Sequence, residues 1–169
     1  MGTEAGGGPG GTGGGRGGLT GPFGNGIHGL IGVSVLEATP ERVVLSLPVT
    51  SKVHQPYGIL HGGVSALLAE SAASLGASLA AGAGRRVVGI EISASHLRAL
   101  REGTLIATAT PVRAGRTVQV WEIRLTDGDG RIISLARCTL SVMGPEGLGG
   151  PGGPAQPRGT GEPGGGPAT

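Results

Sequence analysis

The sequence predicts an α+β domain in which one long helix packs against a curved antiparallel sheet, in the order β-β-α-β-β-β-β. Residues 27–143 contain six runs of strand-favouring residues and one long proline-free stretch, residues 64–81, in which Ala is the commonest residue. The runs do not alternate with helices, so neighbouring strands should pair antiparallel. Most positions of the helix are Ala, Ser or Gly, so the sheet should approach it closely and wrap around it.

The two ends of the chain differ in composition from its middle. Residues 1–26 are about half Gly, and residues 144–169 are rich in Gly and Pro. Such segments bury too little apolar surface to offset the entropy lost on ordering. We therefore expect disordered tails at 1–26 and 144–169, and a single domain over 27–143.

The individual elements follow from local signals. Residues 30–36 and 42–49 are rich in β-branched residues and flank a turn-type break, which predicts a hairpin. A polar loop then leads to His61, after which the helix over 64–81 is expected. Four further strands are predicted at 86–97, 104–113, 117–126 and 131–143. The Asp-Gly-Asp-Gly segment between the last two is a strong hairpin signal.

Composition argues against several classes of function. The formal net charge is +2 and the basic residues are spread along the chain, so no nucleic-acid surface is predicted. The single cysteine, Cys138, excludes an internal disulfide, and its apolar strand predicts an inert buried thiol. The N-terminus has no apolar signal-peptide core, and Glu70 interrupts the apolar stretch at 64–83. We therefore expect a cytoplasmic protein that does not enter a membrane.

The start of the predicted helix suggests a site for a polarised carbonyl group. Gly62 and Gly63 stand where backbone N–H groups lack partners within the helix and the helix dipole is positive. Without a Cβ at these positions a ligand can approach the amides, which would form an oxyanion hole. Further along, Glu70 and Ser74 are four residues apart and share one face. A carboxylate in an otherwise apolar helix is expected either to act in catalysis or to be paired, for example with an arginine across an interface.

The spacing of these groups predicts a dimer. Glu70 follows Gly62 by eight residues, or about 12 Å along one helix, whereas both groups should lie about 3 Å from a shared reacting carbonyl. Two antiparallel helices related by a two-fold axis would bring the Gly62 end of one to the Glu70 level of the other. If Glu70 acts with this oxyanion hole, the protein is an obligate dimer, alone or as a dimer of dimers.

These residues resemble the active-site signature of the hotdog-fold acyl-CoA thioesterases that use a helix glutamate. The signature here is His61-Gly62-Gly63, then Leu68-Ala69-Glu70-Ser71, then Ser74, and matching flanks extend over 27–143. The resemblance includes the 4-hydroxybenzoyl-CoA, 1,4-dihydroxy-2-naphthoyl-CoA and phenylacetate-pathway thioesterases and a carrier-protein proofreading thioesterase. It implies a hotdog fold and hydrolysis of an aromatic or medium-sized acyl-CoA to free acid and CoA, without a metal or other cofactor.

The resemblance also implies a role for each matched residue. Glu70 would be the nucleophile or the base that activates water, and the Gly62 N–H would polarise the thioester carbonyl. Gln55 would orient the carboxylate or the thioester, His61 would shape the oxyanion end, and Ser74 would hold the water. Each has a structural alternative, since His61 could cap the helix, Gln55 could bond loop backbone, and Ser74 could fill space.

A second set of residues is expected to contact the CoA part of the substrate. They lie at strand ends, where they could meet its nucleotide and phosphates: His96, Arg98, Arg116 and Thr117. Polar residues at exposed strand ends that bind no ligand would show the same sequence pattern. His28 and His54 are expected to be ordinary surface or loop histidines.

Two other functions fit parts of the pattern. An acyl-thioester dehydratase or hydratase needs a carboxylate against a histidine, which Glu70 and His61 of facing subunits could provide. A non-catalytic acyl-CoA-binding regulator of the same fold would want an attached helix-turn-helix, which neither glycine-rich end is expected to form. We therefore favour thioester hydrolysis, with neither nucleic acid nor membrane as a partner.

Overall fold

The structure, a computed structural model, describes residues 26–144, and it contains two helices, a 3-10 turn and six strands over that range. The predicted tails lie outside the described residues, apart from Gly26 and Gly144 at the boundaries. In chain order the elements are α1 (Ile27–Ile31), β1 (Ser34–Ala38), β2 (Val43–Val49), the 3-10 turn (Ser51–Val53), α2 (Gly62–Ala81), β3 (Arg86–His96), β4 (Gly103–Ala114), β5 (Val118–Thr126) and β6 (Ile132–Met143).

The predicted architecture, one long helix on an antiparallel sheet, is confirmed. Every strand pairing is antiparallel, and β1 and β2 form the predicted hairpin. The bounds of β2 to β6 agree with the sequence analysis to within one residue, and α2 begins at Gly62 rather than at residue 64. Glycine and aspartate turn residues mark these boundaries, which is why local signals suffice there.

The predicted strand over 30–36 is wrong in its first half. Leu30 and Ile31 belong to α1, and β1 begins only at Ser34. Gly32 ends α1 with φ 81°, in the left-handed region that glycine adopts without strain. A five-residue helix is too short to show helical periodicity, so its apolar residues resemble the start of a strand.

The sheet has the order β1-β2-β4-β5-β6-β3. β3 follows α2 in the chain but pairs with β6, so one edge of β3 has no strand partner within residues 26–144. This strand is 11 residues long, and Ile90 at its bulge is 60% exposed. A long open edge is a template for pairing with another chain.

The sheet curls around one side of α2, here called the sheet face. Its residues are all buried: Leu68, Ala69, Ala72, Ala73, Gly76 and Ala77. Trp121 of β5 is fully buried and packs on Gly76, where a Cβ would lie 2.5 Å from the indole Cη2. The indole N–H donates to Gln119 Oε1 (3.0 Å), and the Gln119 amide donates to the Ala77 carbonyl (3.3 Å). The small residues of the sheet face therefore set how closely the helix and the sheet approach.

α2 is also long and apolar enough to cross a membrane by length and composition, with a mean hydropathy of 1.4. A core helix of a soluble domain passes the same test. In this fold the sheet face of α2 is buried against the sheet, and Glu70 interrupts its other side.

The region from β5 to β6 contains the predicted hairpin turn and the cysteine. Asp127 closes the turn by accepting hydrogen bonds from the backbone N–H groups of Asp129 (3.1 Å) and Arg131 (2.9 Å), and from Arg131 Nε (2.7 Å). Desolvation alone would raise the pKa of the Asp127 carboxyl. The hydrogen bonds and charge of Arg131 outweigh it and hold that pKa below its usual value. Cys138 is buried in β6, as predicted, and desolvation, followed by two nearby carboxylates, raises the pKa of its thiol to about 12.

Candidate active site

Two of the cavities beside α2 contain predicted catalytic residues. The outer cavity, on the side away from the sheet, has a volume of about 590 Å³, and the N-terminal cavity has about 340 Å³. Both volumes fall in the range of small-molecule sites. Every residue that lines the outer cavity belongs to α2, except His28 of α1. The outer cavity is therefore a groove built along a single helix.

The outer cavity contains the predicted carboxylate. Its α2 residues, here called the cavity face, are Gly63, Ala66, Leu67, Glu70, Ser71, Ser74, Leu75 and Ser78. Glu70 and Ser74 are both half-buried in this groove. Two residues that the sequence analysis placed on one face of the helix thus line one cavity.

Glu70 is positioned by packing rather than by a polar partner. Its side chain lies over Gly89 of β3, where a Cβ would come within 3.2 Å of the carboxyl carbon and closer still to one oxygen. No hydrogen bond or ion pair reaches this carboxylate from residues 26–144, so no arginine among these residues neutralises it. A carboxylate that is half-desolvated without a partner costs free energy, which points to a use in binding or catalysis.

The N-terminal cavity brings together Gln55, Gly62 and His96. The His96 ring packs against Gly62, where a Cβ would lie 2.8 Å from Nε2. Nδ1 of His96 is 3.4 Å from the hydroxyl oxygen of Ser134. Gln55 lies in a turn held by its backbone N–H, which donates to the Ile59 carbonyl (2.9 Å). The Gln55 side-chain amide is not used in that turn.

The backbone N–H groups in the first turn of α2 differ in their partners. Gly63 donates to Nδ1 of His61 (2.9 Å). Val64 and Ser65 donate to the His61 carbonyl (2.9 and 3.3 Å). Among the described residues, the N–H of Gly62 has no acceptor. It is thus the amide of this turn that remains available to a ligand.

His61 is the N-cap of α2. Its backbone is extended, its side chain accepts the Gly63 N–H, and it lines neither of the two cavities. Capping by an accepting side chain stabilises a helix by about 1 kcal/mol. The structural alternative considered for His61 is therefore present, and the cap uses one of its ring nitrogens.

The residues predicted to contact CoA fall into two groups at opposite ends of α2. His96 and Arg98 line the N-terminal cavity. Arg116 lines a separate cavity of about 480 Å³ beside the last residues of α2, and Thr117 follows it in the turn between β4 and β5. Because α2 has 20 residues, it spans about 30 Å. A single chain therefore does not bring these four residues together.

Some residues of the outer cavity were not identified from the sequence. His28, expected as a surface or loop histidine, is half-buried, lines the cavity and has Nε2 2.7 Å from Ser71 Oγ. Desolvation lowers the pKa of His28. Nothing local marks His28 for this position, because its partner is 43 residues away. Gly89 does carry a signal, since a glycine inside a strand often marks the close approach of another group.

Metal ligands do not cluster in the described part of the chain. Within residues 26–144, no group of three or more His, Cys, Asp or Glu side chains is close enough to hold a metal ion. The groups beside the two cavities include a carboxylate, hydroxyls, an amide and a backbone N–H, together with the side chains of His28, His96 and Arg98. Such groups are sufficient for acyl transfer from a thioester, whose thiolate leaves readily.

Comparison with known proteins gives a consistent set of relatives. The family model described as the thioesterase superfamily matches residues 57–134. The 1,4-dihydroxy-2-naphthoyl-CoA hydrolase of Listeria monocytogenes is 43% identical over 117 residues, which are 69% of this chain and 95% of that protein. A thioesterase structure from Haemophilus influenzae has a TM-score of 0.70 and 38% identity, covering 72% of this chain and 85% of its own. A hypothetical thioesterase from Streptococcus pneumoniae, solved with coenzyme A, has a TM-score of 0.61 and 26% identity. The match covers 66% of this chain and 86% of that chain.

Proposed function

This chain belongs to the thioesterase superfamily and is a thioester hydrolase, and on that premise we propose that it hydrolyses acyl-CoA with Glu70 as its catalytic carboxylate. The acyl–sulfur bond breaks, water supplies the oxygen and proton, and the products are a free acid and CoA. Glu70 acts either as the base that deprotonates water or as the nucleophile that forms an anhydride, which water then opens. The reaction needs no metal or other cofactor.

One observation carries this proposal: Glu70 lines the outer cavity with no polar partner among residues 26–144. A carboxylate kept for structure is normally paired. Ser74 lies in the same cavity, where its hydroxyl is suited to hold the attacking water. The cavity volume of about 590 Å³ suits an aromatic or medium-sized acyl group.

The oxyanion donor in this proposal is the N–H of Gly62. It is the first-turn amide without an acceptor in the described chain, and it stands at the positive end of α2. Gln55 lines the same cavity and is suited to orient the thioester. His61 supports this end of the site by capping the helix.

We also propose that each site is shared between two chains. Gly62 and Glu70 line different cavities and are about 12 Å apart along α2. The outer cavity is a groove on one helix, and the neighbouring strand β3 has an open edge. Pairing two β3 edges antiparallel would lay two α2 helices side by side in opposite directions. That arrangement supports a homodimer, or a dimer of dimers.

The same arrangement accounts for the separated CoA contacts. Opposed helices place the N-terminal end of one chain beside the C-terminal end of the other. His96 and Arg98 of one chain would then join Arg116 and Thr117 of its partner around the nucleotide and phosphates of one CoA. A soluble enzyme acting on CoA esters in the cytoplasm fits this assignment.

Removal of the carboxylate and of the amide donor tests the proposal. Glu70→Gln should fold normally and lose about 10²- to 10⁴-fold in kcat. Gly62→Pro deletes the N–H at a helix position that proline favours, after a residue whose backbone is already extended. It should lose about 10²- to 10³-fold. Gly62→Ala, which adds a Cβ but keeps the N–H, is its matched control and should retain more activity.

A mixed dimer tests whether the site is shared. Two differently tagged chains, one carrying Glu70→Gln and the other Gly62→Pro, are co-expressed and the heterodimer is isolated. A shared site gives one doubly damaged and one intact site, so about half of the wild-type activity per dimer should return. Heterodimers as inactive as the parent homodimers would contradict sharing, and near-wild-type turnover by Glu70→Gln would contradict the catalytic role.

A further inference from the structure

α1 and α2 meet at a polar contact inside the outer cavity. Nε2 of His28 and Oγ of Ser71 are 2.7 Å apart, and both residues line the cavity next to Glu70. The neighbours of this pair on the cavity face include the apolar side chains of Leu67 and Leu75. A polar pair placed among such side chains must be satisfied when an acyl group displaces water from the cavity.

The hydrogen bonds of Ser71 fix the direction of this contact. The Ser71 hydroxyl donates to the Leu67 carbonyl (2.7 Å), which uses its single proton. His28 Nε2 must therefore carry a proton and donate to the Ser71 oxygen. That oxygen has two lone pairs, and one accepts from His28. The other remains as an acceptor in the cavity, in a position held by both partners.

We propose that Ser71, held by His28, determines acyl specificity by accepting a hydrogen bond from a hydroxyl group on the acyl part of the substrate. Ser71 is the contacting residue and His28 is a positioning residue. The inference rests on the proposed function, in which the outer cavity receives the acyl group beside Glu70. An acyl group with a hydroxyl at this point donates to the second lone pair of the Ser71 oxygen, whereas an acyl group without one leaves that lone pair desolvated and without a donor.

A pair of substrates that differ in donor ability isolates this contact. Hydroxybenzoyl-CoA and methoxybenzoyl-CoA both carry an oxygen on the ring, but only the hydroxyl can donate. The ratio of kcat/KM for the two is measured with the ring oxygen at the ortho, meta and para positions. The wild-type enzyme should prefer the hydroxyl form by about 3- to 10-fold at one position at least, as expected for one neutral hydrogen bond. Equal rates at all three positions would overturn the inference.

Three variants assign the preference to this pair. Ser71→Ala and His28→Leu should bring the ratio close to one, because the first removes the acceptor and the second removes the group that holds it. His28→Gln places an amide N–H where Nε2 stands and should keep the preference. The ratio is internal to each variant, so differences in stability or active fraction cancel.

The outcomes separate this inference from the proposed function. A wild-type ratio retained in Ser71→Ala would overturn the role of Ser71, and one retained in His28→Leu would overturn the positioning role of His28. If the variants lose activity equally on every substrate and the hydroxyl-to-methoxy ratio is unchanged, the pair has a structural role only, and the inference is overturned. Glu70→Gln is run in parallel: turnover that survives there refutes the catalytic assignment instead.

Discussion

The two sides of α2 use the same few residue types for different purposes. On the sheet face, the small side chains of Ala and Gly let the sheet pack closely, and Trp121 fills the space over Gly76. On the cavity face, serines and one carboxylate border a groove that residues 26–144 leave open. A helix that only packed would be apolar on its buried side and charged on its exposed side. Here the outer side is weakly polar and half-buried, which is consistent with the proposed site for a ligand and a second chain.

Two adjacent leucines give the strongest test of this contrast. Leu68 is fully buried on the sheet face, whereas Leu67 lines the cavity and is half-buried. Leu68→Ala should lower the free energy of unfolding by about 2–5 kcal/mol. Leu67→Ala should cost less than half as much and should mainly alter KM. Both are measured by urea unfolding and steady-state kinetics, and equal losses of stability would show that the two faces are packed alike.

Gly89→Ala should reduce activity while leaving the fold intact. The new Cβ would meet the end of the flexible Glu70 side chain, which can move away at little cost in stability. A displacement of about 1 Å at a reacting group lowers the rate by about 100-fold. Thermal unfolding and kcat are measured together. In a Glu70→Gln background the added Gly89→Ala should have no further effect, and a second 100-fold loss there would refute the explanation.

Gly76→Ala, in contrast, should reduce the stability of the fold. Its Cβ would lie 2.5 Å from a rigid, fully buried indole ring, so the helix must shift. Ala normally favours helix over Gly by about 1 kcal/mol, but overpacking of this kind costs about 1–3 kcal/mol. A drop in the melting temperature is expected, and a rise would mean that the seam between helix and sheet has spare room.

The smallest expected effect is the pH dependence contributed by His28. Burial lowers its pKa in the folded state, while the unfolded chain binds a proton near the ordinary value of about 6.5. The unfolded state therefore holds more protons just below that pH, so stability should fall as the pH drops below about 6.5 and should level off below the folded pKa. His28→Gln should remove this component from a series of melting temperatures between pH 5 and pH 8. If the melting temperature of His28→Gln depends on pH as steeply as that of the wild type, groups other than His28 cause the dependence.

The sequence predicts the parts of this molecule that depend on local chemistry. Turn residues set the strand ends, and the alanine-rich stretch with Gly62 and Glu70 marks the helix and its two candidate groups. The position of β3 beside β6 is not predictable in this way, since it depends on how the whole sheet closes around α2. The place of His28 in the outer cavity likewise depends on a long-range contact and on a helix too short to show periodicity.

Trp121 gives the protein a built-in optical probe. It is the single tryptophan of the sequence, and it lies against Gly76 with its N–H bonded to Gln119, so its emission reports on the contact between α2 and the sheet. The wavelength of that emission should be blue-shifted in the native state and move to the red when the helix leaves the sheet. Local loosening at this seam can thus be followed without a label or a substrate, independently of any change in turnover.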